Sequence, residues 1–216
     1  MHKFFAAALA QERLRYSTVC ALIGDNLALN RAVEIIFILS TCKNGCRGGD
    51  HVLESLLGRV LNHVVAGIMV DAAGLHDEAL SLLRSVGEIA NLLALFRLDE
   101  QAYSQWVASS NADRRRGYTP VKVRLAVDKH GAIAVPMDQQ MYDRLCDLYV
   151  HVTPSTSPNA HGPDEVRHVG GYVQTSGATE FSQTLTYIVL QAAMLGASLL
   201  QRRDLQQELA GLCVSS

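Results

Sequence analysis

The stretch GLHDEALSLLRSVGEIANLLALFRLD, from Gly74 to Asp99, decides the fold class of this chain. Its apolar residues recur at intervals of three and four, which is the period of an amphipathic α-helix. Arg84 and Glu88 stand four residues apart, so their side chains can meet, and Asn91 lies one turn further on. A buried charge without a partner costs much free energy. Two interpretations stay open: a structural ion pair that fixes the packing register, or the polar floor of a pocket.

The segments on either side of this stretch predict further helices. Residues 52–71 carry a wide apolar face behind Asp50, a favourable N-cap, and Gly74 separates the two helices. Two long helices joined by a tight turn form an antiparallel hairpin, the usual start of a bundle. Helical patterns also cover residues 4–23, 29–39, 100–109, 138–151 and 180–209. We therefore predict an all-α bundle of about five to seven helices. Residues 29–39 and 121–127 fit a strand or a helix.

One long segment interrupts the helical pattern. Residues 152–179 are rich in Pro, Gly and Ser and hold three of the five prolines of the chain. A structureless stretch of this length is rare within a compact domain unless it is functional or mobile. We expect a single all-α domain over residues 1–216, with a core over 28–152, a C-terminal helix over 180–209, and this loop packed over one end of the bundle.

Composition indicates a globular protein. Of its 216 residues 49% are hydrophobic and 19% charged, and the net charge is −2, which excludes a disordered chain and a globally basic nucleic-acid binder. Its five cysteines are odd in number and scattered, which favours a reducing compartment, the cytoplasm. No continuous apolar run reaches the ~18 residues of a membrane span, so we expect no membrane partner. The first residues, MHKFFAAALAQ, are similar to a short signal peptide, and this alternative stays open.

Arg144 and His151 form the most suggestive pair for chemistry. They are seven residues apart, so we expect both to project from one face of the helix over 138–151. A guanidinium can bind phosphate through two hydrogen bonds, and an imidazole can transfer protons near neutral pH. Together they could hold a phosphodiester while a ribose 2′-hydroxyl attacks it without metal. The alternative is that Arg144 pairs with Asp143 or Asp147, and that His151 only ends the helix, where its cation suits the dipole.

A basic run, Arg114, Arg115 and Arg116, follows Asp113 and precedes Gly117. Such runs usually form a solvated loop or surface. The alternative is a patch that contacts RNA phosphates, because arginines neutralise the charge of the nucleic-acid backbone. These three arginines are therefore the candidate nucleic-acid contacts.

Two groups of residues have the chemistry of metal ligands without a decisive spacing: His151, His161 and His168 near the long loop, and Cys42, Cys46 and His51. The second group offers three zinc-type ligands and no obvious fourth. We expect no metal and no other cofactor, with the thiols buried or inert. The sequence contains no nucleophile elbow, P-loop or dinucleotide fingerprint, which disfavours the common hydrolase, NTPase and dehydrogenase classes.

Two segments resemble a bacterial family of helical proteins of unknown function. In GLHDEALSLLRSVGEIANLLALF, the family pattern Ala-x-x-Leu-x-Arg-x-x-x-Glu is occupied by Ala79, Leu82 or Leu83, Arg84 and Glu88. The segment MYDRLCDLYVHVTPS is similar to the later family stretch Tyr-x-x-x-Ser-x-x-x-His-Pro. The resemblance implies an all-helical bundle and no assigned reaction.

In that second segment Tyr142 and His151 match the Tyr and His of the family, and Cys146 stands at the position of its Ser. The family is distantly similar to the HEPN group, whose ribonucleases carry an Arg followed within a few residues by a His. Arg144 and His151, with six residues between them, match this arrangement. The similarity implies a metal-independent ribonuclease in a toxin or phage-defence role, with an active groove across a homodimer.

The favoured functional prediction is a non-catalytic binding, interaction or regulatory module. Its polar pocket would lie around Arg84, Glu88 and His151, and would take RNA or a small ligand. The other predicted binding residues are Asn91, Tyr142 and His161. The alternative is a HEPN-type ribonuclease, in which Arg144 holds the phosphate and His151 acts as acid or base. A third possibility is a structural helical protein whose polar core only fixes its packing.

Overall fold

The computed structural model describes residues 23–41, 51–164 and 166–214. Of residues 213 and 214 it describes the backbone only. Within these ranges the chain forms nine α-helices and no β-strand, which confirms the all-α class. The helices are α1 (Leu27–Ser40), α2 (Val52–Ala72), α3 (His76–Leu98), α4 (Glu100–Ala108), α5 (Asn111–Gly117), α6 (Pro120–His130), α7 (Gln139–Tyr149), α8 (Thr175–Leu199) and α9 (Arg203–Val214).

The organising stretch forms α3, the central helix. It packs against α2 and α8 along most of its length and also against α4, α6 and α7. The side chains of Leu80, Leu83, Val86 and Leu93 on α3 are fully excluded from solvent. A helix that is apolar around most of its circumference is stable only when neighbouring helices cover it, so α3 determines where they lie.

The described helices outnumber the five to seven that we predicted, because polar caps divide the region after α3. The side chains of Asp99, Ser110 and Thr119 each accept a hydrogen bond from a backbone N–H of the helix that follows. Each cap satisfies N–H groups that otherwise lack a partner at a helix start. The arginine run therefore lies on a short helix, α5, and residues 121–127 belong to a helix and not to a strand.

The C-terminal helix expected over 180–209 is two helices. Residues 175–179 already belong to α8, and the chain turns at Gln201, whose φ is 56°. The backbone N–H of Arg202 donates to the carbonyl of Ala197 at 2.8 Å. This bond is typical of an α-helix that ends with one residue in the left-handed conformation. The long loop consequently runs over 150–174, and not over 152–179.

Some predictions fall outside the described residues. These are the signal-like start, most of the helix over 4–23, the N-cap Asp50, and the cysteines Cys42 and Cys46. Two helices, α2 and α3, are long and apolar enough to cross a membrane by length and composition, with 22% and 61% of the relevant window buried. Because core helices of soluble proteins pass the same test, the expectation of no membrane partner stays a prediction.

Candidate binding cleft and loop network

Three of the predicted binding residues lie together between α3 and α7. The Nε of Arg84 is 3.4 Å from Oε1 of Glu88, and its Nη1 is 3.7 Å from Sγ of Cys146 on α7. Tyr142, one turn before Cys146, is near enough for both charges to act on its phenol, whose pKa is raised mainly by burial. The side chains of Arg84 and Glu88 are each 27% exposed, so the pair is neither fully buried nor freely solvated.

Arg124 joins this group from α6, although nothing in the sequence distinguished it. Its guanidinium carbon lies 4.7 Å from the centre of the Tyr142 ring, a cation–π contact, and its Nη2 donates to Oε1 of Gln139. Arg124 is 3% exposed, and its Nη1 has no hydrogen-bond partner among the described residues. An aromatic face and an amide therefore hold a buried cation that forms no ion pair with any described carboxylate.

Asn91 has a structural role, because its side chain bonds the backbone of the connection between α6 and α7. Its side-chain amide donates to the backbone carbonyl of Met137 at 2.8 Å and accepts from the Met137 backbone N–H at 2.9 Å. Asn91 is 2% exposed and Met137 is fully buried. The amide therefore replaces the backbone partners that the connection between α6 and α7 would otherwise lack.

Arg144 and His151 do not share a helical face, contrary to the prediction from their spacing. The helix α7 ends at Tyr149, and the backbone N–H of His151 closes it by donating to the carbonyl of Cys146 at 2.7 Å. Arg144 pairs with Glu180 on α8 at 2.8 Å instead of with an acid on its own helix. The His151 side chain is exposed and makes no hydrogen bond or ion pair with any described residue, so it does not join Arg84 and Glu88.

His161 belongs to a network that ties the long loop to the start of α3. Its Nε2 lies 2.7 Å from Oδ1 of Asp77, and its backbone N–H donates to the side chain of Gln174 at 3.1 Å. The second carboxylate oxygen of Asp77 accepts from the backbone N–H of Asn159 at 2.7 Å. The hydrogen bond to Asp77 raises the pKa of His161, and burial opposes this.

A second Asp–His pair lies beneath the first. Nδ1 of His76 is 2.6 Å from Oδ1 of Asp71, and Nε2 of His76 accepts from the backbone N–H of Gln174 at 3.0 Å. The two imidazoles meet edge to face, with His76 and His161 ring centres 5.6 Å apart. Near them the backbone N–H of Tyr172 donates to the carbonyl of Gly74, whose φ of 74° is easily reached only without a Cβ. The loop is thus fastened by buried polar contacts rather than by an apolar core.

The arginine run contributes to the fold more than to a basic surface. Nη1 of Arg114 donates to the carbonyl of Trp106 at 3.0 Å, and its guanidinium lies 5.6 Å from the centre of the Trp106 ring. Arg116 pairs with Asp113 at 3.0 Å. Arg115 is exposed and forms no hydrogen bond or ion pair in the described part of the chain.

The three histidines considered as metal ligands near the loop do not come together at one site. The ring of His168 stacks on that of Tyr172 at 4.3 Å, His161 faces Asp77, and His151 faces solvent. Among the residues that the structure describes, no group of three or more His, Cys, Asp or Glu side chains could hold a metal ion.

A cleft of about 350 Å³ opens between α2, α3, α4 and α6. Among the described residues, its polar lining is Arg59, His63, Ser85, Glu88 and Asn91, and its apolar and aromatic lining is Ile89, Leu92, Trp106, Tyr118, Pro120 and Val123. A concave site with a largely apolar lining and a few convergent polar groups is the usual form of a small-molecule site.

Several polar groups of the cleft have no side-chain partner within the part of the chain that the structure describes. Arg59, His63 and Ser85 make no side-chain hydrogen bond or ion pair with the described residues. Burial raises the pKa of Glu88, against the effect of Arg84, and lowers the pKa of His63, helped by the charge of Arg59. Groups with shifted pKa values in a cleft are typical of functional sites.

The sequence contained a signal for part of this cleft. Arg59 and His63 are four residues apart on a helix with a wide apolar face, and His63 and Ser85 each lie eleven residues from Gly74. In an antiparallel hairpin centred on Gly74, these positions face each other. Trp106 and Tyr118 had no such signal, because their place depends on how the short helices α4 to α6 fold back on α3.

No protein-family model matches the sequence, and no curated protein or solved structure shows significant similarity to it. The resemblance to a bacterial helical family and to the HEPN group stays a prediction, as do the homodimer and the cytoplasmic location.

Proposed function

We propose that this protein is a binding module for a small organic molecule, and that the cleft between α2, α3, α4 and α6 is its site. The observation that carries the proposal is that Arg59, His63 and Ser85, which have no side-chain partner among the described residues, line one concave surface together with apolar and aromatic side chains. Glu88, predicted from the sequence as a binding residue, lies in the same cleft.

Two properties of the cleft support a ligand over a merely structural role. A polar group that serves packing normally finds a partner within the protein, as Asn91 and His76 do here. Arg59, His63 and Ser85 find none among the described residues, although each could reach a molecule that enters the cleft. The volume of about 350 Å³ lies at the lower end of the range for small-molecule sites, roughly 300–1,000 Å³.

The ribonuclease alternative has less support. Arg144 is held by Glu180 at 2.8 Å, and Tyr149 donates to the same carboxylate oxygen at 2.8 Å. His151 follows the end of α7 and has no described side chain to orient its ring. A residue that acts as acid or base in phosphodiester cleavage needs an orienting partner and a neighbouring phosphate site.

Trp106 is the only tryptophan of the chain and lines the cleft, so its fluorescence reports occupancy directly. The experiment is a screen of chemically diverse small molecules by Trp106 fluorescence and by melting temperature, since a ligand that binds only the folded state stabilises it. We expect molecules that change both signals with the same Kd.

Two leucine substitutions on α3 test whether the ligand binds in the cleft. Ser85→Leu fills the cleft and should abolish binding, whereas Ser81→Leu, one turn earlier and outside the cleft lining, should leave the Kd unchanged. Both residues are partly exposed, so the two variants should have similar stability. A screen without hits, or hits that Ser85→Leu still binds with wild-type affinity, would overturn the proposal.

A further inference from the structure

The charge distribution of the cleft narrows the class of its ligand, an inference that rests on the proposed binding function. Arg59 extends from α2 at the rim, is exposed, and forms no ion pair or hydrogen bond with any residue that the structure describes. Among the described residues that line this cleft, the only carboxylate is that of Glu88, which is already paired with Arg84 at 3.4 Å. The unbalanced charge at the cleft is therefore the positive charge of Arg59.

The other polar groups do not cancel this charge. Burial and the nearby guanidinium of Arg59, one turn away, both lower the pKa of His63, which favours its neutral imidazole. A neutral imidazole and the Ser85 hydroxyl can each donate one hydrogen bond. The cleft therefore presents one cation and two neutral donors on its polar side, which suits an acceptor group that carries a negative charge.

The apolar lining of the cleft determines which kind of group the rest of the ligand can be. The side chains of Leu92, Trp106, Pro120 and Val123 offer hydrocarbon and aromatic surface to a bound molecule. Trp106 is fixed in place by contacts with Phe96, 5.5 Å between ring centres, and with Arg114, so its position does not need to be ordered on binding. A ring or short branched hydrocarbon fits this surface.

We propose that the cleft binds a small organic carboxylate, with the carboxylate on Arg59 and Ser85 and its apolar body on Leu92 and Trp106. A guanidinium matches a carboxylate through two parallel N–H···O bonds, which a neutral amide cannot reproduce. A cationic ligand would be repelled by Arg59.

Three probes with the same ring separate charge from shape: phenylacetate, the neutral phenylacetamide, and the cation phenethylamine. Their Kd values are measured on the full chain by Trp106 fluorescence and by ligand-observed NMR. We expect phenylacetate to bind about tenfold more tightly than phenylacetamide, the scale of one hydrogen bond to a charged group, and phenethylamine to bind most weakly. Added salt should weaken only the binding of phenylacetate.

Two variants with equal net charge identify the residue responsible. Arg59→Gln should lower the affinity for phenylacetate to that for phenylacetamide, whose own affinity stays unchanged. Arg115→Gln, at an exposed arginine outside the lining of the cleft, should change neither value.

The failure of this inference can be told apart from the failure of the proposed function. Equal affinities for the three probes, or an equal loss for both variants, would overturn the carboxylate inference and leave a binding cleft. Hits from the diverse screen with no carboxylate among them would do the same. If no compound binds at the cleft, both proposals fall.

Discussion

His76 and Asp71 lie 2.6 Å apart, Nδ1 to Oδ1, and both side chains are excluded from solvent. Because Nε2 of His76 accepts a hydrogen bond from the backbone N–H of Gln174, the ring proton must lie on Nδ1 and point at Asp71. A neutral imidazole thus connects the end of α2 to the start of α8, and the long loop between α7 and α8 is held at its final residue.

Replacing Asp71 should test how much this connection contributes to stability. Asp71→Ala leaves the Nδ1–H of His76 buried without an acceptor, and we expect a loss of about 3 kcal/mol in the free energy of unfolding, measured with urea. Hydrogen exchange at the Gln174 amide should also become faster. The control is Asp147→Ala, an exposed acid without a described partner, expected within about 0.5 kcal/mol of wild type. Equal effects of the two substitutions would contradict the prediction.

The His161–Asp77 contact should make the loop sensitive to pH. The pKa of His161 in the folded state is raised by its hydrogen bond to Asp77, above the unfolded value of about 6.5. The contribution to stability is therefore complete below about pH 6.5 and is lost as the pH rises through the folded pKa. The measurement is the free energy of unfolding of wild type minus that of His161→Gln, at pH 6 and pH 9.

We expect this difference to be larger at pH 6. His151→Gln supplies the control, because His151 is exposed and unpaired among the described residues, and the corresponding difference should be small at both pH values. A His161 difference that stays constant or grows between pH 6 and pH 9 would show that the imidazolium–carboxylate contact does not stabilise the loop.

How far the sequence predicts this structure depends on the range of the interactions concerned. The helices α2 and α3 and the hairpin between them follow from local apolar periodicity and from Gly74, and both are observed. The caps Asp99, Ser110 and Thr119 were not predicted, because such common residues become caps only when the chain turns there. The count of helices was therefore underestimated in this region.

The site was less accessible to sequence reasoning, because its contacts join residues far apart in the chain. Arg84 and Glu88 met as their spacing predicted, since one helix carries both. Arg144 has its partner on α8, 36 residues later, and no local pattern indicates Glu180. Asn91 and His161 were predicted as binding residues, whereas in the structure Asn91 bonds the backbone of Met137 and His161 contacts Asp77. These partners depend on loop paths that periodicity does not describe.

Gly177 permits the close approach of α8 to the loop network. A Cβ at this position would lie 2.6 Å from Cδ2 of His76 and 3.1 Å from Cδ2 of His161. Because both rings are held by hydrogen bonds, they cannot move aside freely, and we expect Gly177→Ala to destabilise the protein by about 1–3 kcal/mol.

Gly58→Ala is the matched control for this helical glycine. Among the described residues, a Cβ on Gly58 would meet only Cβ of Ser40 at 3.8 Å, which is ordinary contact, so alanine there should be neutral or stabilise by up to about 1 kcal/mol. The check is the melting temperature of both variants, followed by urea unfolding. Two variants of equal stability would mean that the network tolerates displacement of His76.

The last prediction decides between the two interpretations of Arg84 and Glu88 that the sequence left open. At 3.4 Å and with both side chains 27% exposed, water screens the pair, so its coupling should resemble that of other helical pairs four residues apart. We expect a double-mutant cycle with Arg84→Met and Glu88→Gln, measured by urea unfolding at pH 7, to give a coupling below about 1 kcal/mol. A coupling above about 2 kcal/mol would identify a structural pair that fixes the packing. A weak coupling would favour the other interpretation, in which the two residues form the polar floor of a pocket.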